Sequence, residues 1–127
     1  MRGRVVALST VASAQHAERL ARALVERRLA ACVNVVPGVV SHYRWREALQ
    51  RDHEHLLVIK TRAERLPALR AAFAELHPYE LPELVALEVA GGSEAYLRWL
   101  DAETAVTAPR ARARGRRSGR PRPRSRR

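Results

Sequence analysis

Apolar residues along the chain follow two different spacings. Some occur in short runs rich in Val, Ile and Tyr, which predict strands, and others recur every three or four positions, which predicts helices with one buried stripe. Leu20 and Leu24 lie on such a stripe, and Ser13 is the predicted N-cap of that helix. The predicted elements are strands at 4–11, 31–47, 56–61 and 84–89, and helices at 14–29, near 64–76 and directly after Ser93.

The order of these elements is βαββαβ followed by a short C-terminal helix. It predicts an α+β, ferredoxin-like domain with an antiparallel sheet and helices on one face. The long second strand contains Pro37 and Gly38. Because proline lacks the donor of a ladder hydrogen bond, a bulge or bend is predicted there. The polar segment 46–55 is predicted to form the hairpin connection to the third strand.

Charge is distributed very unevenly along the chain. Of the 24 Lys and Arg residues, ten are arginines within residues 109–127, a segment that holds no acid. The remaining 14 basic residues accompany 13 acidic ones, so residues 1–108 carry a net charge of only +1. We therefore predict a folded domain at 1–104 and a disordered Arg/Pro-rich tail at 105–127, since the tail has too few apolar residues to offset its ordering entropy.

Cysteine content and hydropathy bear on the compartment. Cys32 is the single cysteine, so the chain needs no oxidising compartment for a disulfide, and its apolar surroundings predict a buried, inert thiol. The longest apolar candidate, 29–40, is interrupted by polar, proline and glycine residues and falls short of the roughly 20 residues of a membrane span. We expect a cytoplasmic protein with no membrane partner.

The segment 77–83 concentrates chemically capable groups, namely one imidazole, one phenol and two carboxylates between two prolines. One interpretation is a rigid connector whose polar groups cap the preceding helix. The other is a pocket wall that offers His77, Tyr79 and carboxylate oxygens to a cation or a small ligand. The residues alone favour neither interpretation.

Other function classes lack the residues that they need. An RNA-recognition domain has the same order of elements but stacks bases on aromatic residues of a central strand, and segment 53–60 has none. The chain has no glycine-rich phosphate loop. It also shows no arrangement of a nucleophile beside a positioned base. We therefore expect no enzymatic activity.

Five short motifs follow one another along the chain. They are AACVNVVPG at 30–38, YRW at 43–45, KT at 60–61, HPYELPE at 77–83 and YLRWL at 96–100. In this order and spacing they resemble the CutA divalent-cation tolerance family over about residues 4–103. The arginine-rich tail lies outside the resemblance.

The resemblance implies a ferredoxin-like protomer in a tight homotrimer, with long strands paired across subunits, and a shape related to P-II signalling proteins. It implies a role in the response to metal ions, with weak binding of copper or another divalent cation. Family metal sites correspond here to Cys32 and His77. No obligatory cofactor is expected.

Two alternatives remain open at this point. One is a P-II-like signalling module with a small anionic ligand in the cleft between subunits, where Arg44, Lys60 and Tyr79 would donate hydrogen bonds and Glu80 and Glu83 would line the cleft. The other is a scaffold whose arginine-rich tail contacts polyanions non-specifically and in a salt-sensitive way. A merely solubilising tail is the competing interpretation of that segment.

Overall fold

Four antiparallel strands form one sheet, in which the second strand of the chain lies at one edge and is followed by the third, the first and the fourth, and this confirms the predicted ferredoxin-like arrangement. The structure is a computed structural model that describes residues 3–105, so nearly all of the predicted tail lies outside the described residues. The elements are β1 (Arg4–Val11), α1 (Ala14–Glu26), β2 (Cys32–Trp45), β3 (Ala48–Arg62), a 3-10 turn (Ala63–Arg65), α2 (Leu66–Leu76), β4 (Val85–Glu88) and α3 (Glu94–Glu103). Within residues 3–105, no helix is long and apolar enough to cross a bilayer.

The ends of α1 follow from local hydrogen bonds. The Ser13 hydroxyl accepts from the His16 N–H, which confirms the predicted N-cap. The helix ends at Glu26, earlier than predicted. Arg28 adopts a φ of 59°, and the Leu29 N–H bonds back to the Leu24 carbonyl at 2.9 Å. This left-handed residue reverses the chain and closes the helix.

The β2–β3 hairpin corrects the prediction for segment 46–55. Its turn contains only Arg46 and Glu47, and Trp45 already pairs with Ala48. β3 therefore begins at Ala48 and not at Leu56. The predicted bulge is confirmed between Val36 and Val39. Since β1 pairs with β3 only over residues 55–62, residues 39–54 extend beyond the sheet as a two-stranded ribbon, here called the projecting ribbon.

One face of the sheet, here called the covered face, carries α1 and α2. Its strand residues alternate along β1 and β3, and α1 and α2 add leucines and a phenylalanine to the same core. Buried members of this core include Ala7, Val11, Leu57, Ile59, Leu24, Leu69 and Phe73.

The opposite face, here called the open face, is also apolar. Strand alternation places on it the half-buried side chains of Val6, Leu8, Leu56 and Val58. Pairing of β1 with β4 adds Val85 and Leu87, whose side chains are 51% and 52% exposed.

α3 covers one end of the open face. Its Ser93 N-cap is confirmed by the hydrogen bond that Ser93 Oγ accepts from the Tyr96 N–H. Arg4, an open-face residue of β1, forms an ion pair with Asp101 at 2.7 Å. Arg62 donates to Thr104 Oγ1 at 3.1 Å just beyond the helix. The rest of the open face lies outside these contacts.

Candidate functional site

Residues 77–83, here called the connector, cross the end of β1 and place His77 in a buried position, 7% exposed. Nε2 of His77 lies 2.9 Å from the Thr10 carbonyl oxygen, and the Tyr79 N–H donates to Nδ1 at 3.1 Å. An Nδ1 that accepts leaves the proton on Nε2, so His77 is a neutral ring with both nitrogens engaged. Burial lowers the pKa of His77, and its hydrogen bond to Thr10 only partly opposes this.

Tyr79 fastens the connector to the base of the projecting ribbon. Its hydroxyl donates to Glu54 Oε2 at 2.6 Å, and Glu54 is only 5% exposed. Burial, followed by the hydrogen bond to the Glu54 carboxylate, raises the pKa of Tyr79 well above its ordinary value. The phenol therefore remains a donor, which a buried carboxylate requires.

Further polar pairs continue along the connector and the ribbon. Arg46 Nη2 lies 2.9 Å from Glu80 Oε1, and the Tyr43 hydroxyl donates to Asp52. This hydrogen bond to a carboxylate raises the pKa of Tyr43. The Arg46–Glu80 pair joins the connector to the ribbon, and the Tyr43–Asp52 bond joins the two ribbon strands. Both involve exposed side chains, which solvent screens.

Cys32 lies at the other end of the sheet. It is half-buried, so the prediction of a fully buried thiol is wrong. Its Sγ lies 3.7 Å from Asn34 Oδ1, an oxygen that also accepts from Lys60 Nζ. Burial raises the pKa of the Tyr96 phenol, and the adjacent Cys32 thiol adds to that shift.

Within one protomer, Cys32 and His77 do not form a common metal site. Cys32 pairs with Lys60, whereas Thr10, the partner of His77, pairs with Leu56. Four residues along β3 separate these positions by roughly 13 Å, and an ion bound by sulfur and nitrogen needs both ligands within about 2.3 Å. Residues 3–105 of one chain hold no group of three or more His, Cys, Asp or Glu side chains arranged to bind a metal.

The predicted anion cleft is likewise not assembled by one protomer. Tyr79, Glu80 and Glu83 share the connector, but Tyr79 donates to Glu54 and Glu80 accepts from Arg46. Glu83 Oε1 lies 3.5 Å from Thr10 Oγ1. Lys60 lies at the far end of the sheet, and Arg44 lies on the face of the ribbon opposite Tyr43. The small-ligand cleft stays a prediction.

Sequence reasoning missed Glu54, the buried partner of the connector. The sequence predicts a hairpin connection at 46–55, in which a carboxylate needs no partner. Extension of β3 to Ala48 would have placed Glu54, Leu56 and Val58 on the same face. The signal was therefore the strand alternation, which the polar composition of the segment concealed.

Comparisons with known proteins agree with the geometry. Residues 5–103 match the family described as CutA1 divalent ion tolerance protein. A divalent-cation tolerance protein CutA of Thermus thermophilus is 50% identical over 99 residues, which are 78% of this chain and 96% of that protein. A chloroplastic CutA of Arabidopsis thaliana is 43% identical over 79% of this chain, which spans only 55% of that relative's length.

A solved structure extends the likeness to the fold. The crystal structure of CutA1 from Oryza sativa superposes with a TM-score of 0.80 at 41% identity, over 83% of this chain and 96% of that one. The family match, which runs from residue 5 to residue 103, spans both helices of the covered face, all four strands and α3. The chain therefore belongs to the CutA1 divalent ion tolerance protein family.

Proposed function

We propose that this protein is a cytoplasmic, non-enzymatic homotrimer that responds to divalent cations and binds copper or a similar ion weakly at sites completed between subunits. The observation that carries the proposal is the open face. Leu8 and Val58 are half-buried apolar side chains on that face, and Leu87 is 52% exposed. Apolar patches of this kind mark protein interfaces.

Self-association would cover the open face and complete the sheet edges. β2 is an edge strand of 14 residues and β4 is an edge strand of four. Unpaired edges of this length template pairing with another chain unless they are protected. Three copies related by a rotation axis can satisfy both features at once, because closed symmetry leaves no edge free.

A bound ion would need ligands from more than one chain or from water. Cys32 supplies a partly accessible sulfur on the open face. His77 can ligate only if it gives up one hydrogen bond, either to Thr10 or from Tyr79. That exchange costs part of the binding free energy, which supports weak affinity.

Assembly is tested with a matched pair of apolar-to-acidic substitutions. Leu87→Asp buries a charge if subunits meet on the open face, so the protein should sediment as a monomer. Leu49→Asp is the control, since Leu49 is 77% exposed at the end of the projecting ribbon, and this variant should remain trimeric. Wild-type protein that sediments as a monomer, or identical behaviour of both variants, would contradict the proposal.

Ion binding is tested by calorimetric titration of the assembled protein with Cu(II) and Zn(II). Saturable binding at one ion or fewer per chain should be lost in Cys32→Ser combined with His77→Ala and retained in the control His53→Ala. His77→Ala alone also removes two structural hydrogen bonds, so the assembly state is measured alongside. Unchanged affinity in the double variant would reject these ligands, and no saturable heat in the wild type would reject direct binding.

A further inference from the structure

The open face carries opposite charges at its two ends. Since alternate residues of a strand share a face, its residues on β3 are, in order, Asp52, Glu54, Leu56, Val58 and Lys60. At about 3.4 Å per residue, Asp52 and Lys60 lie about 27 Å apart along the strand. One end of the open face is therefore acidic, the other end is basic, and an apolar stretch separates them.

The basic end holds a cation without a matching carboxylate. Lys60 is half-buried, and its ammonium group donates to the side-chain oxygen of Asn34, a neutral acceptor on the edge strand β2. An ammonium group has three donors, so this bond leaves two of them free for another acceptor. The other basic residues at this end, Arg4 and Arg62, each form an ion pair with an acid of the same copy. Within residues 3–105, Lys60 forms none.

The acidic end presents Asp52 as a partner of opposite charge. Its carboxylate is exposed, accepts from the neutral Tyr43 phenol and forms no ion pair with the part of the chain that the structure describes. A carboxylate has about four lone-pair sites, so Asp52 can accept from an ammonium group while it keeps Tyr43. Glu54 is less suitable, because it is only 5% exposed and already bonded to Tyr79.

We propose that Lys60 of one copy forms an ion pair with Asp52 of the next copy, so that the basic end of each open face meets the acidic end of its neighbour. The inference rests on the proposed assembly through the open face and adds which ends of the face meet. A contact between two different patches is heterologous, and such contacts form a closed ring when the rotation between copies fits. An unpaired Lys60 would be costly where the apolar stretch excludes water, and a paired one fixes the orientation of the contact.

The contact can be tested by chemical cross-linking, because Lys60 is the only lysine in the chain. A carbodiimide joins an amine directly to a carboxylate that touches it, and about 27 Å separates Lys60 from Asp52 of the same copy. The assembled full chain should therefore give covalent dimers and trimers, with an amide bond between Lys60 and Asp52 in the peptide map. Asp52→Asn should abolish this link. Glu83→Gln is the control and should retain it, since Glu83 is another exposed acid near the acidic end.

A charge exchange tests whether the pair stabilises the assembly. Lys60→Glu and Asp52→Lys should each raise the dissociation constant of the trimer at least about tenfold, because like charges then face each other. The combined variant restores opposite charges at every contact and should return to within about threefold of wild type. Sedimentation equilibrium at one fixed urea concentration measures all variants. Arg19→Glu combined with Glu26→Lys is the control and should match wild type, since it exchanges exposed charges of α1 that form no ion pair among the described residues.

The outcomes separate this pair from the assembly itself. Wild-type protein that stays monomeric would reject both. A trimer in which Lys60 couples to a different carboxylate, or to none, would reject the pair and leave the assembly standing. Single variants that weaken the trimer without recovery in the combined variant would show that Lys60 and Asp52 contact different groups. A dimer joined by the same link would support the pair and reject the trimer.

Discussion

Both faces of the sheet carry apolar residues in the middle of β1 and β3, but the two faces differ in what covers them. Val5 and Ala7 lie under helices and are buried, whereas Val6 and Leu8, which alternate with them, are only half-buried. In an antiparallel sheet with one solvent-exposed face, apolar and polar residues normally alternate along each strand. Residues 5–8 of β1 and 56–59 of β3 do not alternate in this way, and continuous apolar runs of this kind are typical of strands buried on both sides. This pattern supports the proposed assembly, in which other copies of the chain cover the open face.

The largest expected effect is a substitution of Leu57 on the covered face. Its side chain is fully buried between the sheet and the helices. Leu57→Ala should lower the free energy of unfolding by about 2–5 kcal/mol, because the transfer free energy of the removed atoms is lost and a cavity remains. Urea denaturation followed by circular dichroism measures this change. A loss below about 1 kcal/mol would show that the core can collapse around the cavity.

Val58→Ala is the matched change on the open face. If subunits cover Val58, the effect of the substitution should shrink on dilution, because the stability that assembly adds depends on protein concentration and dissociated chains no longer make the contact. The effect of Leu57→Ala should depend less on concentration, since α1 and α2 of the same chain cover Leu57. Urea midpoints at two protein concentrations separate the two cases. A shift in the urea midpoint of Val58→Ala that is the same at both protein concentrations would indicate that the open face stays uncovered.

Where the connector passes from the covered face to the open face, Tyr79 satisfies the buried carboxylate of Glu54. Tyr79→Phe should lower the free energy of unfolding by about 1–3 kcal/mol, because the Glu54 carboxylate loses its donor without regaining full hydration. Tyr43→Phe is the control, since its partner Asp52 is exposed and water can replace the phenol. Urea denaturation at pH 7 measures both variants. Equal losses of unfolding free energy would show that burial of Glu54 does not increase the contribution of its hydrogen bond.

Local features of the fold could be predicted because their causes are local. The bounds of β1, the Ser13 and Ser93 caps and the bulge at Pro37-Gly38 all depend on residues close in sequence. The two-residue turn was missed for a physical reason. Arg46 and Glu47 adopt φ values of 51° and 69°, which Asn and Gly normally supply. Without those residues, the polar segment was interpreted as a loop.

The candidate site was harder to predict than the fold, because it depends on contacts between distant segments. His77 and Tyr79 were identified as chemically capable, but nothing local shows that Thr10 and Glu54 satisfy their polar atoms. Chain periodicity also places no limit on the distance between Cys32 and His77. That separation follows from the register of three strands, which only the assembled sheet defines.

The smallest expected effect lies where α3 covers the end of the open face. The hydrogen bond from Arg4 holds the pKa of Asp101 below its ordinary value of 3.8. A carboxyl group with a lowered pKa stabilises the fold above its unfolded pKa, and the stabilisation disappears as the pH falls through the folded pKa. Asp101→Asn should therefore destabilise the protein at pH 7, by less than Tyr79→Phe does, because the pair is about one-third exposed and screened by solvent.

The same variant at low pH separates the charge from the shape of the Asp101 side chain. As the pH falls through the lowered folded-state pKa of Asp101, the wild-type carboxyl group becomes protonated, so the urea midpoints of wild type and Asp101→Asn should converge. A difference that stays unchanged throughout the acid range would mean that α3 is held by packing and by the bonds from Arg62 to Thr104. In that case the end of the open face is closed by contacts that do not depend on the charge of Asp101.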